Sequence, residues 1–287
     1  MQVAAVATYN WPHVVAGPDF LSALFRGAFR TRTCERLGHG LVERVTGGGY
    51  PAALARASAK RRAAWYRNYV ETLVQRDVRD LARIRSLDAL PRLLALAAAQ
   101  TANLITVSDL AGPFQVSRPT IREYVTLLSR VFLLEELPPW HNNRVKRLVK
   151  APKLHVSDTG LACALMEIDA DALWEDRSTL GRPLETFVYQ ELRRHASWHD
   201  APTQFHHFRD KDMAEVDIVL ERGGRLAGVE VKAAVTVTAA DFRGLRRLKK
   251  ASGKRFAGGV LVYDGETSAS FGDGLYAVPI RMLWEGT

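Results

Sequence analysis

Apolar positions recur along this chain with two periods, one helical and one of two residues, and the balance shifts from the first to the second along its length. Asp19-Phe20-Leu21 opens an amphipathic helix to about Phe29. A second covers Leu41 to Thr46, ended by Gly47-Gly48-Gly49. A long helix begins at Lys60-Arg61-Arg62. Trp65, Tyr69, Leu73, Val74 and, further on, Leu81 lie on it at core spacing, and Arg76 to Asp80 form an ion-paired face. An Ala- and Leu-rich helix follows over Leu87 to Thr101.

The next segment reads as helix, turn, helix, strand. Ser108 is the expected N-cap of a short helix to Ala111, broken by Gly112-Pro113. Ser117 caps a second helix, with Pro119 tolerated in its first turn and Leu127, Leu128, Val131 and Phe132 as its apolar face. Leu133 to Leu137 is a strand, stopped by Pro138-Pro139. This order matches a winged helix-turn-helix, in which N-terminal residues of the second helix reach bases. Arg118, Thr120 and Arg122 are the candidates here. Arg144, Lys146, Arg147, Lys150 and Lys153 follow with no acid among them, a run able to track phosphates, and Trp140 and His141 precede it.

Beyond residue 150 the period-two pattern takes over. Lys153 to Ser157 is a strand, Asp158 the N-cap of a helix over Leu161 to Met166, and Glu167 to Thr179 an acidic loop. A helix covers about Pro183 to His195. Strands follow at Gln204–Phe208, Ala214–Leu220 and Leu226–Lys232, the last two joined at Gly223-Gly224, a two-residue hairpin signal. A helix over about Ala239–Ala251, begun at Asp241, precedes strands at Gly258–Tyr263 and Gly274–Pro279.

Within this part, Glu230 and Lys232 lie two apart and so share one strand face, while Val229 and Val231 share the other. The hairpin brings Asp217 near Glu230. Burying such charges is costly unless they pair or hold an ion. Two carboxylates beside a lysine suit Mg²⁺, which prefers one or two carboxylates and keeps several waters. The lysine would orient a water or stabilise charge on phosphorus. This D…ExK pattern, with Glu185 on the preceding helix, resembles the PD-(D/E)XK nuclease superfamily, whose core runs helix, three strands, helix, strand. The resemblance implies Glu185, Asp217, Glu230 and Lys232 as catalytic residues, with Asp217 and Glu230 as ligands of Mg²⁺.

The 287 residues suggest about two domains, and a formal net charge of +9 makes a polyanionic partner plausible. Arg243, Arg246, Arg247, Lys249, Lys250 and Lys254 concentrate that charge just after Lys232. Arg246 and Arg247 are the candidate backbone contacts among them. Cys34 and Cys163 form no metal or disulfide pattern, which fits a reducing cytoplasm. No run approaches a membrane span, and no signal peptide is read at the start. Glu191, His195 and His199 have metal-binding spacing but no HExxH, so zinc is not expected; His206 and His207 face opposite ways. The glycines at 47–49 are a turn and not a phosphate loop, since no Gly-Lys-Ser/Thr follows.

Several strings taken in order carry a wider resemblance: GGGYPAAL at 47–54, RDVRDLARI at 76–84, VSRPTIREYVTLL at 116–128, KLHVSDTGL at 153–161, GRPLETFVYQEL at 181–192, and FRDKDMAEVDIVLE with GVEVKAA at 208–234. From about Asp19 onward the chain resembles AAA-type ATPases with a C-terminal DUF4143 domain. That family places a P-loop ATPase before a winged-helix segment and a nuclease-like domain. No Walker A or Walker B motif occurs here, so no ATP site is expected in this chain. The expected organisation is a remnant of an ATPase tail or lid over 1–55, a helical and winged-helix region over 56–150, and a DUF4143-type αβββαβ domain over 151–287. The fold class is α/β (α+β). DNA and a protein partner are the expected partners, with no membrane.

Overall fold

The computed structural model describes residues 19–78, 89–114, 117–143 and 151–285. Eleven α-helices occur among these: α1 (Phe20–Arg26), α2 (His39–Gly47), α3 (Pro51–Leu54), α4 (Ala59–Leu73), α5 (Ala89–Ala99), α6 (Val107–Ala111), α7 (Arg118–Arg130), α8 (Thr159–Met166), α9 (Ala170–Glu175), α10 (Arg177–Ser197) and α11 (Arg243–Ser252). The strands are β1 (Arg32–Thr33), β2 (Asn103–Leu104), β3 (Leu134–Leu137), β4 (Lys153–Val156), β5 (Gln204–Arg209), β6 (Glu215–Arg222), β7 (Arg225–Lys232), β8 (Phe256–Tyr263), β9 (Thr267–Ser270) and β10 (Leu275–Pro279). The α+β class is thus observed. The chain forms two compact units, one of 1–41, 140–142 and 188–287, the other of 42–139 and 143–187.

The second unit holds a three-stranded antiparallel sheet in the order β2-β4-β3. In sequence it runs α5, β2, α6, α7, β3, β4, the helix, helix, strand order expected there. Ser117 caps α7 as expected, its Oγ accepting from Thr120 N–H at 3.3 Å. The cap of α6 is Thr106 and not Ser108: Thr106 Oγ1 accepts from Asp109 N–H while Asp109 accepts from Thr106 N–H at 2.8 Å, a reciprocal box two residues earlier than expected. Ile121, Leu127 and Leu128 are buried, but Phe132 is 75% exposed and does not belong to the apolar face. It occupies the left-handed position after α7 (φ 59°), with Leu133 N–H donating to Leu128 C=O, the geometry that usually selects glycine.

A buried clamp closes the other end of this unit. Asp158 caps α8 by accepting from Leu161 N–H at 2.9 Å and also accepts from Gly49 N–H at 2.6 Å. Tyr66 donates to Gly47 C=O at 3.0 Å. Gly48 (φ 69°) lies against both side chains, so the glycine run is a packed turn. The long helix of the expectation ends as an α-helix at Leu73 and passes into a π turn over Val74–Val78. Residues 79–88, with Leu81, lie outside the described residues. The acidic loop before α10 contains α9, and α10 begins at Arg177, with Pro183 inside it. Asp176 makes the earlier start possible by accepting from Ser178 N–H at 3.0 Å; hydrogen bonds from Ser178 and Thr179 lower its carboxyl pKa to about 2.

The first unit is built on a seven-stranded mixed sheet in the order β1-β9-β10-β8-β7-β6-β5. Strands β5, β6 and β7 are antiparallel neighbours. After α11 the chain returns as β8, parallel to β7, which completes helix, three strands, helix, strand. Gly223 and Gly224 both have positive φ (54° and 78°) and join paired Arg222 and Arg225, the tight hairpin their dipeptide signals. Glycines also set the α11 contact. A Cβ on Gly228 would meet Leu245 Cδ2 at 2.6 Å, and one on Gly244 would meet Glu215 O at 1.7 Å. Trp140 is buried with Phe208, Phe242 and Leu245, and its backbone N–H donates to His207 C=O at 2.6 Å. It is a core residue, not an exposed aromatic beside a basic run.

Candidate functional site

Strand parity places Glu230 and Lys232 on the face of Gly228, which is the face covered by α11. Asp217 comes from the neighbouring strand. The β6–β7 ladder pairs Ile218 with Val229, and one step beyond it Asp217 Oδ2 accepts from Val231 N–H at 2.9 Å. The Asp217 side chain therefore takes over a backbone hydrogen bond where the ladder stops.

Lys232 makes a close ion pair with Asp241, the two side chains being 34% and 20% exposed. Asp241 lies in a 3₁₀ turn, Ala239–Phe242, that leads into α11. Its second oxygen accepts from Thr238 N–H at 2.7 Å and Thr238 Oγ1 at 3.0 Å. Burial acts to raise the Asp241 carboxyl, but the hydrogen bonds from Lys232 and Thr238 outweigh it and hold the group below its ordinary range. The same acid that starts the helix, as its position in the sequence suggests, is thus the partner of Lys232.

Glu185 belongs to the second unit, where its Oε1 accepts from Lys153 Nζ at 2.8 Å, with side-chain exposures of 13% and 2%. Next to it, Thr186 Oγ1 is 2.9 Å from Thr101 Oγ1 and 3.0 Å from His155 Nδ1, a buried polar chain. Lys153, read from sequence as part of a phosphate-tracking run, is a buried strand residue.

Among the described residues no group of three or more His, Cys, Asp and Glu side chains is placed to hold a metal ion. The donors here also have other work, Asp217 at Val231 N–H and Glu185 at Lys153. The residues do not fit a protein-built, three-donor cation cage. His195 is buried against Trp198, and His199 Nε2 lies 3.0 Å from Asp19, so the spaced histidines have structural partners. Burial pushes the Cys163 thiol up to about 12, which leaves it inert near neutral pH.

Two cationic stripes remain. On α11, Arg243, Arg246 and Lys250 are exposed at spacings of three and four and border a shallow depression with Ala240 and Arg247. Among the described residues Arg243 and Arg246 donate only to backbone carbonyls, of Asp212 and Ala239. Arg247, by contrast, pairs with Asp212 at 3.0 Å and Asp210 at 3.7 Å, and Lys249 with Asp273 at 3.4 Å. On α7, Arg118, Arg122 and Arg130 are exposed along one i, i+4 row, whereas the Thr120 hydroxyl lies 2.8 Å from Ser117 Oγ in the cap. Arg144, Lys146 and Arg147 lie outside the described residues. The sequence supplied the charge, and only the ion-pair partners separate Arg243 and Lys250 from Arg247.

Residues 180–283 match the family model described as Domain of unknown function (DUF4143), in agreement with the resemblance read from the sequence. Residues 38–172 match the one described as Domain of unknown function (DUF8612). The chain is 30% identical over 237 residues to the uncharacterized protein Mb2031c of Mycobacterium bovis and likewise to Rv2008c of Mycobacterium tuberculosis, matches covering 82% of this chain and 52% of each relative. The chain therefore spans about half the length of the curated relatives it matches. A solved structure, protein VC1899 from Vibrio cholerae, aligns at 10% identity with a TM-score of 0.26, covering 89% of this chain and 56% of that one. No helix among the described residues is long and apolar enough to cross a membrane.

Proposed function

We propose that this chain is a DNA-binding module whose C-terminal part has the PD-(D/E)XK nuclease-like arrangement without a preformed metal cage. One observation carries the reading. Arg243, Arg246 and Lys250 form an exposed row on the helix following Glu230 and Lys232, and no ion pair with a carboxylate is found for them among the described residues. Evenly spaced cations of this kind contact a phosphodiester backbone without reading its sequence. The row on α7 supports the same partner through the winged-helix order. Titrating a fluorescent duplex at several salt concentrations tests it. Binding should weaken with salt, and the triple change of Arg243, Arg246 and Lys250 to Gln should flatten the log–log slope by about 0.9 per lost contact. Binding that ignores salt, or a triple variant with an unaltered slope, refutes it.

A second reading, Mg²⁺-dependent phosphodiester cleavage by Asp217, Glu230 and Lys232, is favoured by the adjacency of β6 and β7. Supercoiled and linear DNA incubated with Mg²⁺ or Mn²⁺ distinguishes the two. Cleavage by the wild type that Asp217→Ala abolishes supports an enzyme, and intact DNA with both proteins leaves the binding module.

A further inference from the structure

The α11 row does not stop at Arg243. Arg246 Nη1 reaches back to Ala239 C=O at 2.6 Å, and its guanidinium lies 5.9 Å from the Phe242 ring, so it covers the turn that bears Asp241. Lys232 meets that turn from the end of β7. Four cations, Lys250, Arg246, Arg243 and Lys232, are therefore gathered along one turn and helix, and among the described residues only the last of them has a carboxylate partner, Asp241.

We infer that Lys232 is the terminal phosphate contact of the α11 track and that Asp241 occupies its anion position until a backbone phosphate of bound DNA displaces it. The inference rests on the DNA-binding reading and adds to it a residue that limits affinity. A phosphate oxygen and a carboxylate oxygen compete for the same ammonium with similar geometry. Asp241 keeps its hold on Thr238 when Lys232 leaves, so the helix start survives the exchange. One protein cation is exchanged between two anions, and no bond is made or broken.

The test uses the whole chain and a 20-base-pair duplex. Asp241→Asn keeps an oxygen for Thr238 and removes the charge facing Lys232. It should tighten binding severalfold at low salt, because no carboxylate has to be displaced, and leave the log–log salt slope unaltered, because the Lys232–phosphate contact forms in both proteins. Lys232→Met should flatten that slope by about 0.9, in its background the same Asn change should produce no tightening, and Asp241→Glu should retain the wild-type affinity. Reductive methylation in the absence of DNA should label Lys232 faster in Asp241→Asn than in the wild type. Equal labelling, an unaltered affinity in Asp241→Asn, or tightening that persists without Lys232 each overturns the inference while DNA binding stands. A wild type that shows no salt-dependent binding overturns the parent reading and this one together.

Discussion

Replacing Gly244 by alanine tests how the sheet and the basic helix are held together. Gly244 is buried at the start of α11, and an added Cβ would lie 1.7 Å from Glu215 O, a backbone atom of β6. Real Cβ atoms essentially never come closer than 3.0 Å, so helix and strand must separate by more than an ångström. Leu245 and Leu248, both fully buried, sit on this contact and would lose part of their packing. A radial gap of about 0.5–1 Å already forfeits a quarter to a half of each dispersion contact. With roughly 1.5–3 kcal/mol for each of the two buried leucines, the expected loss is about 1–3 kcal/mol. Urea unfolding of the whole chain, followed by tryptophan fluorescence and far-UV circular dichroism, measures it. Gly181→Ala is the control, because nothing lies within 4 Å of its added Cβ and it sits inside α10. That change should stabilise by up to about 1 kcal/mol. A Gly244→Ala protein within about 0.5 kcal/mol of wild type would refute the close-approach argument.

Two other outcomes follow from single residues. Phe132→Gly should raise stability by up to about 1 kcal/mol, since it relieves a left-handed phenylalanine whose ring is mostly in water; a loss in thermal melting temperature would show that the ring has a packing role. His195 is buried, and burial lowers its pKa below 6.5, with Glu191 and Asp19 opposing the shift. The unfolded chain then binds more protons below pH 6.5, so stability is full above that pH and falls as pH drops through and below it. Melting temperatures from pH 8 to 5 should decline less in His195→Gln than in the wild type, and parallel curves would refute the assignment.

Much of the fold was legible because periodicity, caps and turns are local. The pairing of Arg222 with Arg225 follows from two glycines that both accept positive φ, and the Asp158 and Ser117 caps from short polar side chains one turn before an apolar face. The shared face of Glu230 and Lys232 follows from strand geometry alone. Local pattern misplaced the start of α10, because Pro183 looked like a first-turn residue while the Asp176 hydrogen bonds start the helix earlier. It also left Trp140 beside the basic run, since burial depends on Phe208 and Phe242, far along the chain.

The sequence by itself determined the order of the longer helices and strands, the parity of Glu230 and Lys232, and the concentration of cations after them. The tertiary structure alone decided which charges have partners. Lys153 holds Glu185, Asp241 holds Lys232, and Asp210 with Asp212 holds Arg247, while Arg243, Arg246 and Lys250 stay exposed. The physical reason is range. Backbone preference and hydrophobic period act over a few residues, whereas an ion pair needs two side chains brought within about 4 Å by the folded chain.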